Sequence, residues 1–156
     1  VKRRGLRAAA RRASAALAVS ADATEAALRL ARVRMLLGEA GAAREVLLGL
    51  VGRPDVPTPH AYLARLMLGQ LYAVAEPGRA ERLFREAGDL LPEGQAARVA
   101  LGQLLDIQGN RRGAAAVLGL SSDVEQDPFI DPWVDYLLGV GNGPGQAEAL
   151  RDEVRQ

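Results

Sequence analysis

The chain has 156 residues, enough for one domain with a core of its own, and its 20 basic and 19 acidic residues leave a formal charge of +1. Ala (29) and Leu (24) far outnumber Val, Ile and Thr together (17), a balance that favours helix and excludes an all-β fold. With no Cys and one His, disulfides, thiolate metal sites, covalently attached haem and a cysteine nucleophile are excluded, and no apolar run reaches the ~20 residues of a membrane-spanning helix.

In chain order, the basic opening (Lys2, Arg3, Arg4) and the Ala-rich stretch behind it superficially resemble a secretory signal. Arg7, Arg11 and Arg12 interrupt it, leaving only Ala13 to Val19 uncharged, so residues 5–19 read as a helix of the folded domain. A cytoplasmic location is the default expectation, and export is compatible with the lack of Cys. Asp22 with Glu25 makes a capping box ahead of the stripe Leu30, Val33 and Leu37, and Val46, Leu47 and Leu50 form a second stripe. Thr58-Pro59 predicts an N-cap followed by a first-turn proline, Pro77-Gly78 a shortened turn, and Gly109-Asn110 a helix stop followed by a new cap. Asp131-Pro132 opens a last helical segment, and Gly141-Asn142-Gly143-Pro144-Gly145 reads as a turn.

These elements repeat. A step of 34 residues aligns Val33, Met67 and Leu101, then Leu37, Leu71 and Leu105, then Leu50, Phe84 and Leu118. Val46, Ala80 and Ala114 form a smaller-residue column, and Gly41, Gly109 and Gly143 share a phase with Ala75 in the gap. At these positions the chain resembles the tetratricopeptide repeat family, some of whose members are bacterial. The match is best at Leu101-Gly102, Leu105, Gly109, Ala114 and Leu118, and continues at Leu68-Gly69, Tyr72, Ala80, Phe84, Ala87 and Pro92. Arg34, Arg53 and Thr58 depart from it in the first unit. The resemblance implies an all-α, right-handed solenoid of helix-turn-helix repeats forming one domain over 1–156. Its expected divisions are a partial leading helix at 5–19, repeats at 22–55, 56–92 and 93–126, and a degenerate fourth repeat or cap at 129–156. Each helix pair leaves an apolar face that only its neighbour can cover, so about three units are needed for stability.

The family's usual activity is peptide binding in the groove made by the first helix of each pair. Projected onto this chain, the groove candidates are Leu28, Met35, Glu39, Tyr62, Arg65, Gln103 and Asp106. The subclass that grips C-terminal carboxylates needs basic and Asn residues where this chain has Ala31 and Met35, Arg65 and Gly69, and Val99 and Gln103. Only Arg65 fits, which argues against that subclass.

Catalysis finds little support. Ser14, Ser20, Ser121 and Ser122 lack an adjacent base, and His60, the sole imidazole, reads as a surface residue at a helix start. Asp123, Glu125 and Asp127 read as a solvated acidic linker. The glycine run after Gly139 has no preceding strand and no Gly-Lys-Ser/Thr ending for phosphate. Six cations in Lys2 to Arg12 have no interleaved aromatic, which disfavours nucleic acid. No catalytic, cofactor or metal site is therefore expected.

Two features remain. Phe129, Trp133 and Tyr136 hold half of the six aromatics and read as a cap over the third repeat, or as an interface anchor if exposed. The run Asp131-Pro132-Trp133-Val134-Asp135 is similar to a segment that follows repeat arrays in some bacterial tetratricopeptide proteins, a few of which accompany multihaem cytochromes. Residues 1–34 carry nine bases and two acids, whereas residues 121–156 carry two bases and eight acids. That polarity suggests head-to-tail association through Arg3, Arg4, Arg7, Arg11 and Arg12 at one end and Asp127, Asp131, Trp133 and Asp135 at the other. The leading expectation is a non-enzymatic scaffold for a protein or peptide partner. The alternative is a structural subunit of a larger assembly or filament, or of an extracytoplasmic complex with a cofactor-bearing partner. A third is the repeat segment of a longer enzyme.

Overall fold

A computed structural model of the chain describes residues 5–11, 23–119 and 131–133. Every regular element among the described residues is a helix: α1 over residues 5–11, α2 Ala23–Leu37, α3 Ala40–Val51, α4 Thr58–Tyr72, α5 Pro77–Leu90, α6 Gln95–Ile107 and α7 Arg111–Gly119. Residues 132 and 133 begin a further helical turn.

Local chemistry sets the boundaries. Gly38 and Gly109 take the left-handed conformation, with φ of +80° and +79°. Each ends its helix in a Schellman motif: Gly38 N–H donates to Met35 O and Glu39 N–H to Arg34 O, while Gly109 N–H donates to Asp106 O and Asn110 N–H to Leu105 O. The 34-residue count points to Gly41 for the first of these turns, but the glycine used is Gly38, and Gly41 lies within α3. Asn110 then caps α7, its Oδ1 accepting from Gly113 N–H at 2.9 Å. Thr58 is the first residue of α4 and not its cap, the N-cap position being held by Pro57. Pro77 and Gly78 open α5 and do not form the turn before it. Asp22 lies outside the described residues.

Packing follows the apolar spacing. In α5 the buried residues are Ala80, Leu83, Phe84 and Ala87, one stripe at intervals of three and four. In α4 they are Tyr62, Leu63, Ala64, Leu66, Met67, Leu68, Gly69 and Tyr72, so this helix is covered on most sides. The contacts explain why: α4 packs against α3 and α5 and also touches α2 and α6. The helices thus form sequential pairs, α2 with α3, α4 with α5 and α6 with α7. The first members, α2, α4 and α6, lie side by side as an inner layer, whereas α3, α5 and α7 make no comparable contacts with one another.

Two glycines set how closely a pair can approach. A Cβ on Gly69 would stand 2.5 Å from the Phe84 ring, and one on Gly102 would stand 2.8 Å from Leu118 Cγ. These are the glycines of the two Leu-Gly pairs, and their partners belong to one column of the repeat. Arg34 holds that place in the first pair and spans to α3 instead, donating to Ala42 O at 3.1 Å. Gly49 and Gly88, also helical, have no atom of the described residues within 4 Å of where a Cβ would stand. Replacing either of those two by Ala is expected to stabilise the chain by up to about 1 kcal/mol through helix propensity. Gly69→Ala and Gly102→Ala are expected to destabilise it by about 1–2 kcal/mol, because overpacking outweighs that gain. Urea unfolding of the four variants checks the opposite signs.

Candidate functional site

The most developed polar site among the described residues lies where Asp131-Pro132-Trp133 meets the inner layer. The Tyr62 side chain, fully buried on α4, donates its hydroxyl proton to Asp131 Oδ2 at 2.8 Å. The same oxygen accepts from Ala96 N–H at 2.8 Å, and the Tyr62 hydroxyl accepts from Ala97 N–H at 3.3 Å. Asp131 Oδ1 accepts from Trp133 N–H at 2.9 Å, the N-cap bond expected of an Asp-Pro start. One carboxylate therefore caps two helical starts, its own turn and α6, whose N-cap residue is a glycine with no side chain to offer.

Neighbouring residues make room for this arrangement. A Cβ on Gly94 would stand 2.8 Å from the Tyr62 hydroxyl oxygen, so glycine there lets the phenol reach the end of α6. Trp133 is buried in the same apolar cluster as Leu28, Ala31 and Tyr62. Its ring lies 5.1 Å from the Arg32 guanidinium on α2, a cation–π contact. Burial lowers the Arg32 pKa below its ordinary value, and Arg32 Nε has no hydrogen-bond partner among the described residues. The tripeptide thus ties α2, α4 and α6 together, reaching Tyr62 across 69 residues of sequence.

Burial, followed by the bond to Asp131, raises the Tyr62 phenol well above its ordinary value. The stability that Tyr62 contributes is fully present below about pH 10, the unfolded tyrosine value, and is lost as pH rises through the folded one. The expected result is that one tyrosine fails to ionise with the ordinary class in an alkaline absorbance titration and does so only as the helices unfold.

The expected groove residues are not one surface. Leu28 and Tyr62 have no exposed surface, which corrects their placement as open groove side chains. Periodicity puts both on the inner helices, but it cannot show that a later segment and the next helix cover them. Met35 is half-buried against the core. Arg65 turns towards α5, pairing with Glu86 at 3.2 Å and donating to Ala61 O. Glu39 and Asp106 are exposed. Gln103 lines a shallow depression with Gln70, Val74, Phe84, Leu104 and Ile107, at whose edge Val74 and Ile107 are 96% and 84% exposed.

Of the residues expected at the chain ends, Arg7 and Arg11 are exposed and line a hollow with Leu37 and Glu39. Asp131 and Trp133 are buried, so the packing corrects their assignment to an exposed end contact: their side chains are spent on the chain's own inner layer. Arg3, Arg4, Arg12, Asp127, Asp135, Phe129 and Tyr136 lie outside the described residues, as do Ser14, Ser20, Ser121 and Ser122. His60 is half-buried, with Nε2 3.3 Å from Glu25 on α2 and Nδ1 without a partner among the described residues. The described residues contain no group of three or more potential metal ligands, and none of their helices is long and apolar enough to cross a membrane.

Four contributors escape sequence reasoning, Arg32, Gly94, Ala96 and Ala97. Gly94 carries a faint signal, standing where a capping side chain would be expected ahead of an apolar stripe, whereas Ala96 acts only through its backbone. Comparison with known proteins adds no identity: no family model, no curated protein and no solved structure matches the chain.

Proposed function

We propose that the chain is a short solenoid of tetratricopeptide-like helix pairs and acts as a non-enzymatic scaffold that holds a partner protein or peptide on its inner helices. The observation that carries this reading is that the inner layer already holds a peptide segment, gripping Asp131 by its carboxylate and Trp133 by its ring. Sequential pairing of the helices and the glycine contacts at Gly69 and Gly102 support the repeat reading. The exposed apolar pair Val74 and Ile107, beside uncharged Gln70 and Gln103, offers further surface for a partner.

The test is affinity capture with the full chain and variants that keep native helicity. A partner recovered by the wild type should be lost with Ile107→Lys or Gln103→Lys and retained with Arg7→Glu and Arg11→Glu. Retention by the inner-layer variants with loss in the Arg variants would overturn the reading in favour of end-to-end assembly.

A further inference from the structure

We infer that the site formed by Tyr62, the Ala96 N–H and Arg32 recognises an acidic residue-proline-aromatic peptide of a partner protein, with Asp131-Pro132-Trp133 as the chain's own occupant. The inference rests on the scaffold reading and gives it a ligand chemistry.

The receptor half is anchored by elements other than the segment it holds. Tyr62 sits in the core of α4, Gly94 clears the path for its hydroxyl, and Ala97 N–H donates to that hydroxyl. The start of α6 has no side-chain cap of its own, so an oxygen arriving from elsewhere must satisfy Ala96 N–H. Without the segment, the site would present a hydroxyl proton and a backbone N–H converging on one point, with the half-buried Arg32 guanidinium on α2 where the ring now lies. That donor set selects a carboxylate over an amide, since charge-assisted hydrogen bonds are roughly twice as strong as neutral ones.

The occupant shows what each position needs. Its acid takes both receptor donors and, through its other oxygen, caps its own turn. Proline follows in a first helical turn, where an absent N–H leaves nothing unpaired and a fixed φ holds the acid and the ring in register. The aromatic ring enters the apolar cluster under Arg32. A competing peptide must carry the same three groups. It must also displace a tethered segment, whose effective concentration is on the order of millimolar for a short linker. The segment would then set a threshold for partner binding.

Trp133 is the only tryptophan, which makes the test direct. Full-length chain carrying Trp133→Ala is titrated with the end-blocked peptide Ile-Asp-Pro-Trp-Val-Asp, whose indole is then the sole fluorophore of its kind. The expected result is a saturable blue shift with rising anisotropy. The affinity should fall at least tenfold when the peptide's first Asp is replaced by Asn, and again when the chain also carries Tyr62→Phe. Should Trp133→Ala lose helicity, the wild-type chain is titrated with Ile-Asp-Pro-Phe-Val-Asp, which should red-shift Trp133 as it is displaced.

No saturable change in the folded protein tested would overturn the inference, as would binding indifferent to the Asn replacement. Dimerisation by segment exchange without peptide binding would also overturn it, assigning the site to a second copy. If the peptide fails while partner capture still depends on Ile107 and Gln103, the scaffold reading stands alone. If both fail, both fall.

Discussion

Tyr62→Ala is expected to lower the free energy of unfolding by about 3–5 kcal/mol, the range for truncating a buried aromatic to Ala. The side chain has no exposed surface, lies in a helix covered on most sides, and joins two hydrogen-bonded neighbours to the core. Two losses combine. The ring leaves a cavity that surrounding Leu and Ala side chains cannot fill, and Asp131 loses a donor. Tyr62→Phe separates them, keeping the ring while removing the hydroxyl, and should cost about 1–3 kcal/mol, because Asp131 is left under-satisfied in a buried place. Urea unfolding should show lower midpoints for both variants with unchanged m-values.

Asp131→Ala is expected to cost about 3 kcal/mol, since it leaves buried donors without their acceptor. The Tyr62 hydroxyl, Ala96 N–H and Trp133 N–H all lose it together. For a domain of ordinary stability, about 5–15 kcal/mol, this is a substantial share. The consequence should be local as well as global: α6 loses its N-terminal acceptor, so Ala96 N–H should exchange with solvent faster while amides in the middle of α4 keep most of their protection. Asp131→Asn retains one acceptor oxygen and should fall between wild type and alanine. Equal loss of protection across all helices would show a global role without the capping function.

Sequence patterning foretells much of the fold because the relevant signals are local. Apolar spacing of three and four places the buried stripe of α5, Asn110 announces the cap of α7, and Gly109 announces its turn. The glycines of the two Leu-Gly pairs have a steric reason visible only once Phe84 and Leu118 are opposite them. Counting by 34 misplaces the first turn glycine because the units are not strictly periodic: α3, α5 and α7 start at Ala40, Pro77 and Arg111, spacings of 37 and 34.

The site was legible only in halves. Asp131-Pro132 predicts a local N-cap, and Oδ1 does make that bond with Trp133 N–H. Its other oxygen serves Ala96, 35 residues earlier, and Tyr62, 69 residues earlier, and no spacing rule encodes such pairings. Arg65 is a similar case, since helical projection gives its face of α4 but not that Glu86 on α5 draws the guanidinium aside.

The most direct test of whether the inner helices hold Asp131-Pro132-Trp133 is acrylamide quenching of the single tryptophan in the native full-length chain, compared with the urea-unfolded chain. A buried ring beneath Arg32, in one cluster with Tyr62, requires blue-shifted emission and strong protection from quencher in the native protein. Both should be reduced in Asp131→Ala. Native emission and quenching equal to those of the unfolded chain would contradict the docked segment and, with it, the peptide-holding inner layer.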